Sequence, residues 1–301
     1  MKTVVITGAS SGIGLEVARI LTRKGFNVLG IGRSEINCNR AEEKILSENP
    51  DAKITYFLAD LMQQREVIRV AEEITLYLNQ KSNGELYALI NNAGCVRSWY
   101  MTTEEGYEQQ FALNHLAGFL LTYKLLPALI KAHGRVIMTG SESHKGIKVH
   151  WDDVMLRCRY NPLTAYKQSK LCNILFAKGL NDRYAAHGIR AYVVDPGLVK
   201  TDIGNKETGF LVNLIWTLRK MHGVPPEVPA NTYAFLCKQE TPPDGLYYYL
   251  CKEKDYSRQI TRENADRLFE LSERLCGIKY ESPVCLRPEQ HSSKHEGVMV
   301  K

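Results

Sequence analysis

Tyr166 and Lys170 stand four residues apart in AYKQSKLCN (165–173), a stretch with helical character. Residues at i and i+4 are neighbours on a helix surface, so the phenol and the ammonium lie within reach of each other. A solvent-facing pair is the plain reading of such neighbours. The chemical reading is proton transfer. A free tyrosine has a pKa of about 10, too high to exchange protons readily near neutrality. A nearby cation stabilises the phenolate and lowers that value, which makes Tyr166 a candidate general acid/base. Ser141 closes the apolar run GRVIMTGS (134–141). Its hydroxyl can hold an oxygen on which charge develops. Ser143, two residues on, is a rival for that role.

A second chemical signal lies at the start of the chain. TGASSGIG (7–14) places Gly8, Gly12 and Gly14 between an apolar run and a helical one. Glycine suits a sharp turn and a close backbone approach to a ligand. The helix that follows would aim its free N–H groups, from Ser10 through Ile13, at an anion such as a pyrophosphate. The spacing is Gly-x-x-x-Gly-x-Gly rather than the common Gly-x-Gly-x-x-Gly, so the strand–turn–helix context carries the inference of nucleotide binding. The second apolar run ends in Gly32, Arg33 and Ser34, with no acidic residue at the point where one would hold both hydroxyls of an adenosine ribose. A guanidinium there can grip a 2′-phosphate, so the expected cofactor is NADP(H) rather than NAD(H). The competing reading makes Arg33 a solvated loop residue. Asp60 and Leu61, after the third run, are placed to meet the adenine edge, or Asp60 caps the next helix.

These residues need a scaffold, and the hydropathy pattern supplies one. Apolar runs at 4–8, 26–32, 53–60, 86–94, 134–141 and 189–197 alternate with helical stretches at 12–24, 39–48, 63–80, 104–131 and 164–186. Such alternation implies right-handed βαβ units and a parallel sheet covered on both faces. The expected fold is α/β, a single doubly wound Rossmann-type domain over 1–278 with a sheet of about seven strands. Residues 279–301 lose periodicity and read as a polar, mobile tail.

The totals narrow the function classes. The chain has 301 residues, 44% hydrophobic and 24% charged, and a net charge of +6. The basic excess is mild and holds no long Lys/Arg run, so no nucleic-acid partner is expected. Eight cysteines are scattered without a Cys-x-x-Cys pair, which fits reduced thiols and no structural metal. His291 and His295 sit in the polar tail and read as solvated. No secretory signal and no membrane-spanning run stand out, so the expected location is cytoplasmic.

TGASSGIG, NNAG (91–94), LNHLAG (113–118), the Ser141 strand end, Tyr166-x-x-x-Lys170 and DPG (195–197) occur in that order. Together they resemble the short-chain dehydrogenase/reductase family over residues 3–278. RYNPLTAYKQSKLCNILFAKGL and the C-terminal GLYYYLCKEK…RLFELSERLCGI are most like its retinol dehydrogenase-type branch. The resemblance implies an alcohol–carbonyl oxidoreductase in which Tyr166 exchanges the proton, Ser141 holds the substrate oxygen, Lys170 tunes Tyr166 and holds the nicotinamide ribose, and Asn114 supports a water relay to the lysine. The plain reading of Asn114 is a helix residue bonded to its own backbone. The family pattern also sets Asn91, Ala93 and Gly94 beside the cofactor, passes Pro196, Gly197 and Val199 along the nicotinamide, and lets Thr201 bond its carboxamide. TGSES departs from the family's paired serines, which leaves Ser143 in play. Family members often pair as homodimers through the helices after the fourth and fifth strands.

Two segments bear on substrate. The stretch 142–165 is long enough to be a loop over a site. Residues 203–225 contain GFLVNLIWTLRKMHG, with an apolar stripe of Phe210, Leu211, Leu214, Ile215 and Leu218. That stripe could cap an apolar pocket, contact a membrane surface peripherally, or pack on a subunit. A cap favours a lipophilic aldehyde, ketone or alcohol; retinoid-like or steroid-like molecules follow from family analogy alone. A cofactor-bound sensor without turnover, or a reductase for one polar biosynthetic intermediate, are the alternatives. The trio Ser141, Tyr166 and Lys170 argues against the sensor, which has no use for it.

Overall fold

The structure, a computed structural model, describes residues 1–200 and 223–280. Its eight strands are β1 (Thr3–Thr7), β2 (Asn27–Gly32), β3 (Lys53–Leu58), β4 (Ala88–Asn91), β5 (Arg135–Thr139), β6 (Arg190–Val194), β7 (Tyr247–Tyr249) and β8 (Lys252–Glu253). They form one sheet in the order β3-β2-β1-β4-β5-β6-β7-β8, parallel except for the β7–β8 pair. The eighth strand is a two-residue antiparallel hairpin arm, too short to give a period in the sequence. Expected strand starts agree within a residue or two; every end but that of β2 comes earlier, because the last residues of those runs leave the ladder at the ligand edge.

Seven helices stand among the described residues: α1 (Gly12–Arg23), α2 (Glu35–Glu48), α3 (Gln64–Lys81), α4 (Gln109–Lys131), α5 (Pro162–Tyr184), α6 (Glu227–Lys238) and α7 (Arg262–Cys276). Alternating side chains of each strand go to opposite faces. Val5, Leu29 and Leu89 join the core under α3, α4, α5 and α7, while Val4, Ile6 and Ile90 join the core under α1 and α6. Burial on both faces is why the strands read as continuous apolar runs rather than alternating ones.

Three expectations change on this scaffold. α2 begins at Glu35, four residues before its expected start, because Ser34 caps it by accepting from the Asn37 N–H at 3.4 Å. α4 does have the length and apolarity of a membrane-crossing helix, and two-thirds of its apolar window is buried in the core, where α3 and α5 flank it. It is apolar all round because the protein surrounds it. Tyr280, assigned by composition to the tail, is buried against Phe119 and Tyr123 and donates to the Phe119 carbonyl at 2.8 Å. The packed domain therefore reaches at least Tyr280. Residues 281–301 of the expected tail, and residues 203–222 of the expected lid, lie outside the described residues.

The strand order reverses between β1 and β4, the neighbours on either side of the first crossover. Open α/β sheets bind ligands in the crevice outside the carboxyl ends of the strands at such a switch point.

Candidate active site

The glycine turn leaves β1 at this switch point. Gly8 and Gly12 have φ of +67° and +55°, a region costly to residues with a Cβ. Gly14, in the first turn of α1, lies so close to the loop that a Cβ would fall 2.2 Å from the Gly8 carbonyl oxygen. Ser11 stands at the N-cap of α1 with its side chain unused for capping. The first N–H groups of the helix are thus left for a ligand anion, which is the fit expected of a pyrophosphate site. Gly14→Ala is expected to destabilise the protein by about 1–3 kcal/mol through overpacking and to abolish dinucleotide binding. Thermal melts and NADPH titration, each with and without the substitution, check both effects.

Two residues that sequence reasoning missed hold this turn to β4. The Thr7 hydroxyl accepts from the backbone N–H groups of Asn92 and Ala93, both at 2.9 Å. The Asn92 side chain donates to the Thr7 carbonyl at 3.0 Å. In NNAG the second asparagine faces the glycine turn. The first, Asn91, points its amide into the core, donating to Thr122 Oγ1 at 3.3 Å, and its backbone carbonyl accepts from Thr139 Oγ1 at 3.0 Å. Its buried side-chain oxygen has no partner among the described residues, and Asn91 lines a small gap with Thr7, Ala93 and Asn114.

Arg33 follows β2 exposed, with no hydrogen bond or ion pair among the described residues. Gly32 beside it has no room for a side chain, since a Cβ would meet Cys38 Sγ at 2.4 Å and Ser10 Oγ at 3.1 Å. Ser34 serves as the α2 cap described above. Asp60 accepts from the Met62 N–H at 3.2 Å, shaping the turn before α3, and the N-cap of that helix is Gln63. The Leu61 side chain is buried in the core.

Asn114 lies in a π turn, Ala112–Leu116, inside α4. Its amide holds the backbone of Cys95 from both sides, accepting from the N–H at 2.8 Å and donating to the carbonyl at 3.1 Å, and it also donates to Ser169 Oγ at 3.0 Å. The π turn adds a residue to the helix, and such insertions often mark functional positions. Here it brings Asn114 under the loop Gly94–Cys95. A Cβ on Gly94 would lie 3.0 Å from Asn114 Oδ1 and 3.8 Å from Lys170 Nζ, so these three groups share one point. Burial pushes the Cys95 thiol up to about 12, which leaves it a neutral packing group.

α5 carries the remaining groups. Asn161 caps it by accepting from the N–H groups of Leu163 and Thr164, both at 3.0 Å, and Pro162 fits its first turn. Tyr166 and Lys170 lie one turn apart, with the ammonium 5.4 Å from the centre of the phenol ring. Lys170 is buried, and its Nζ donates to the Thr139 carbonyl at 3.2 Å, at the end of β5. Asn173, a further residue not singled out from sequence, donates to that same carbonyl at 3.0 Å. Burial pushes Lys170 down to about 8, with the Asp195 carboxylate opposing.

Ser141 stands at the far side of this carbonyl, where the turn Glu142–His144 packs against α5. Its Oγ accepts from the Ser143 N–H at 3.3 Å and from Ser143 Oγ at 2.9 Å. The two serines act as partners: Ser143 donates inward, and the Ser141 proton is left to donate elsewhere. On the next strand, Asp195 accepts from the Gly197 N–H at 2.9 Å and from the Tyr247 hydroxyl at 2.8 Å. Gly197 has φ of +68°, Pro196 precedes it, and Val199 bridges to Val224. Thr201 lies outside the described residues.

The short-chain dehydrogenase family model matches residues 2–209. Mouse retinol dehydrogenase 12 is 34% identical over 284 residues, covering 93% of this chain and 88% of the relative. Human retinol dehydrogenase 13 is 33% identical, covering 92% and 85%. A solved structure of an uncharacterised protein from Mycobacterium paratuberculosis superposes with a TM-score of 0.70 at 29% identity, covering 93% of this chain and 95% of that one. On the fold, the switch-point crevice and these likenesses, the chain belongs to the short-chain dehydrogenase/reductase family, in its retinol dehydrogenase branch, and is an NAD(P)-dependent oxidoreductase.

Proposed function

We propose that the protein is an NADP(H)-dependent oxidoreductase that interconverts an alcohol with a lipophilic aldehyde or ketone, with Tyr166 as its general acid/base. The observation that carries this reading is the buried Lys170 ammonium set against the Tyr166 ring, beside Gly94 and behind the Ser141 strand end. A buried ammonium with one protein acceptor among the described residues keeps two donors for a ribose and a water. When bound, the cofactor supplies or takes the hydride. Ser141 donates its hydroxyl to the substrate oxygen, and the bond it accepts from Ser143 strengthens that donation. In reduction Tyr166 gives its proton to the oxygen as the alkoxide forms, and in oxidation it takes that proton back. Lys170 stabilises the phenolate left on Tyr166. Asn114, through the Cys95 loop, fixes the wall on which Lys170 rests.

The preference for NADP(H) rests on Arg33, an exposed guanidinium free of partners among the described residues at the end of β2, and on the crowding at Gly32, which keeps an acidic side chain from that position. The lipophilic substrate rests on apolar side chains exposed at the carboxyl edge: Trp99 is 53% exposed and Leu198 45%. They flank the crevice from the β4 and β6 loops, where a polar substrate would favour polar ones. The name of the retinol dehydrogenase relatives points the same way.

The test is cofactor oxidation across a panel of lipophilic and polar aldehydes and ketones, with NADPH and NADH in parallel. Turnover with NADPH and lipophilic carbonyls is the expected result. Arg33→Ala should weaken NADPH by about 10- to 100-fold, the worth of a charged hydrogen-bonded contact, and leave NADH unchanged. Equal binding of the two cofactors by the unaltered protein would sink the preference for NADP(H). Turnover confined to polar carbonyls would move the substrate to the dedicated biosynthetic class.

A further inference from the structure

His144 is fully buried and takes part in none of the steps above. Its Nε2 accepts from the Ser257 backbone N–H at 3.1 Å. A ring nitrogen that accepts carries no proton, so in the neutral ring the proton is on Nδ1. Nδ1 lies 2.7 Å from the Ser141 carbonyl and donates to it. One tautomer satisfies both contacts, and burial holds the imidazole below its ordinary pKa, which preserves that tautomer near neutrality. The ring packs at 5.0 Å from Tyr247, whose hydroxyl is bonded to Asp195.

We propose that His144 is a positioning residue for Ser141: it clamps the Ser141 carbonyl to the segment before α7 and thereby aims the Ser141 hydroxyl at the substrate oxygen. Ser141 has extended backbone angles, φ −172° and ψ 144°, and its carbonyl makes no ladder bond; the one backbone bond it accepts is that of the short turn Glu142–His144. That carbonyl instead accepts from the His144 ring and from the His144 N–H at 3.1 Å. Releasing the ring lets the peptide pivot, and the Cβ–Oγ bond turns with it. Displacements of this size at a reacting group are costly in rate because productive geometry tolerates little error. The clamp also ties Ser141 to the loop bearing Tyr256, so that loop and the catalytic end hold one register. The inference rests on the reading of Ser141 as the holder of the substrate oxygen.

The experiment compares His144→Asn, His144→Gln and His144→Ala, with Ser141→Ala alongside, on the fastest carbonyl of the panel. An asparagine amide reproduces the Nδ1 donor and leaves the Ser257 contact unmade. A glutamine amide reaches Ser257 with its oxygen and offers no donor near the Ser141 carbonyl. The expected result is a kcat loss of about 10- to 100-fold in the Gln and Ala variants, recovery close to the wild-type kcat in the Asn variant, and unchanged NADPH affinity in all three. Equal kcat in the Asn and Gln variants, or losses that follow melting temperature rather than the donor, would overturn the clamp. Wild-type turnover in Ser141→Ala would instead overturn the role of Ser141 on which the clamp depends.

Discussion

Tyr166→Phe is expected to lower kcat by about 10²–10⁴-fold, the contribution of a positioned general acid/base, while NADPH affinity stays near wild type. The substitution keeps the ring against which Lys170 rests and removes only the hydroxyl. Its effect on stability should not exceed about 1 kcal/mol, the net worth of one ordinary hydrogen bond. The separation of the two readouts matters. A fold defect would lower both turnover and melting temperature, whereas loss of the proton donor lowers turnover alone. The direction of reaction adds a second signature. Reduction needs the phenol protonated, so it should fade as pH rises, and oxidation needs the phenolate, so it should strengthen. A Tyr166→Phe protein that keeps wild-type kcat in both directions would remove the phenol from the mechanism and leave Ser141 or a water as the proton source.

The sheet was legible because its chemistry is local. Val4, Val5 and Ile6 are all apolar, since both faces of β1 are covered, and the glycines after them mark a turn no other residue type fits as well. The pair Tyr166 and Lys170 was legible because helical spacing fixes it within one element. The supports of the site were not, for a common physical reason: each acts through a hydrogen bond to a residue far away in sequence. Asn92 reaches back to Thr7, Asn173 to Thr139, Tyr247 to Asp195, and His144 forward to Ser257. A polar residue inside an apolar stretch is the trace such roles leave: Asn173 in KLCNILF shows it, whereas His144 in SESHKG has polar neighbours and shows none. The trace gives no partner. The π turn at Asn114 was hidden too, because LNHLAG reads as ordinary helix and the extra residue shows only when the Ala117 N–H is found on the Ala112 carbonyl. For Asn91, the motif alone assigned no direction to the side chain: the period of β4 turns its amide nitrogen into the core and leaves Asn92 at the turn.

Lys170→Met is expected to separate function from stability. Burial pushes this ammonium down to about 8, so the fold works against the charge it houses. The Cys95 thiol, itself raised to about 12 by burial, is neutral near pH 8, which leaves the Asp195 carboxylate as the anion that supports Lys170. The folded value lies below that of an unfolded lysine, near 10.4. The unfolded chain therefore binds more protons between about pH 8 and 10.4, and stability rises with pH across that window. Below pH 8 both states are protonated and the penalty is constant at its maximum. Methionine keeps an unbranched side chain, one atom shorter, without the charge, and the Thr139 carbonyl keeps its bond from Asn173. At pH 7, without cofactor, the variant should gain about 1–3 kcal/mol, as when a buried charge gives way to an apolar group of similar volume. The gain should shrink as pH passes 8. Turnover should fall by at least about 10²-fold, because Tyr166 loses the cation that favours its phenolate. Thermal melts of both proteins at pH 7 and pH 9.5, with kcat measured beside them, check the argument. A variant that melts below wild type at pH 7 would show the ammonium to be a net stabiliser, held by Asp195 more strongly than burial opposes it. The expected outcome, a more stable and inactive protein, would place Lys170 among the residues a fold keeps at its own expense because the chemistry needs a charge there.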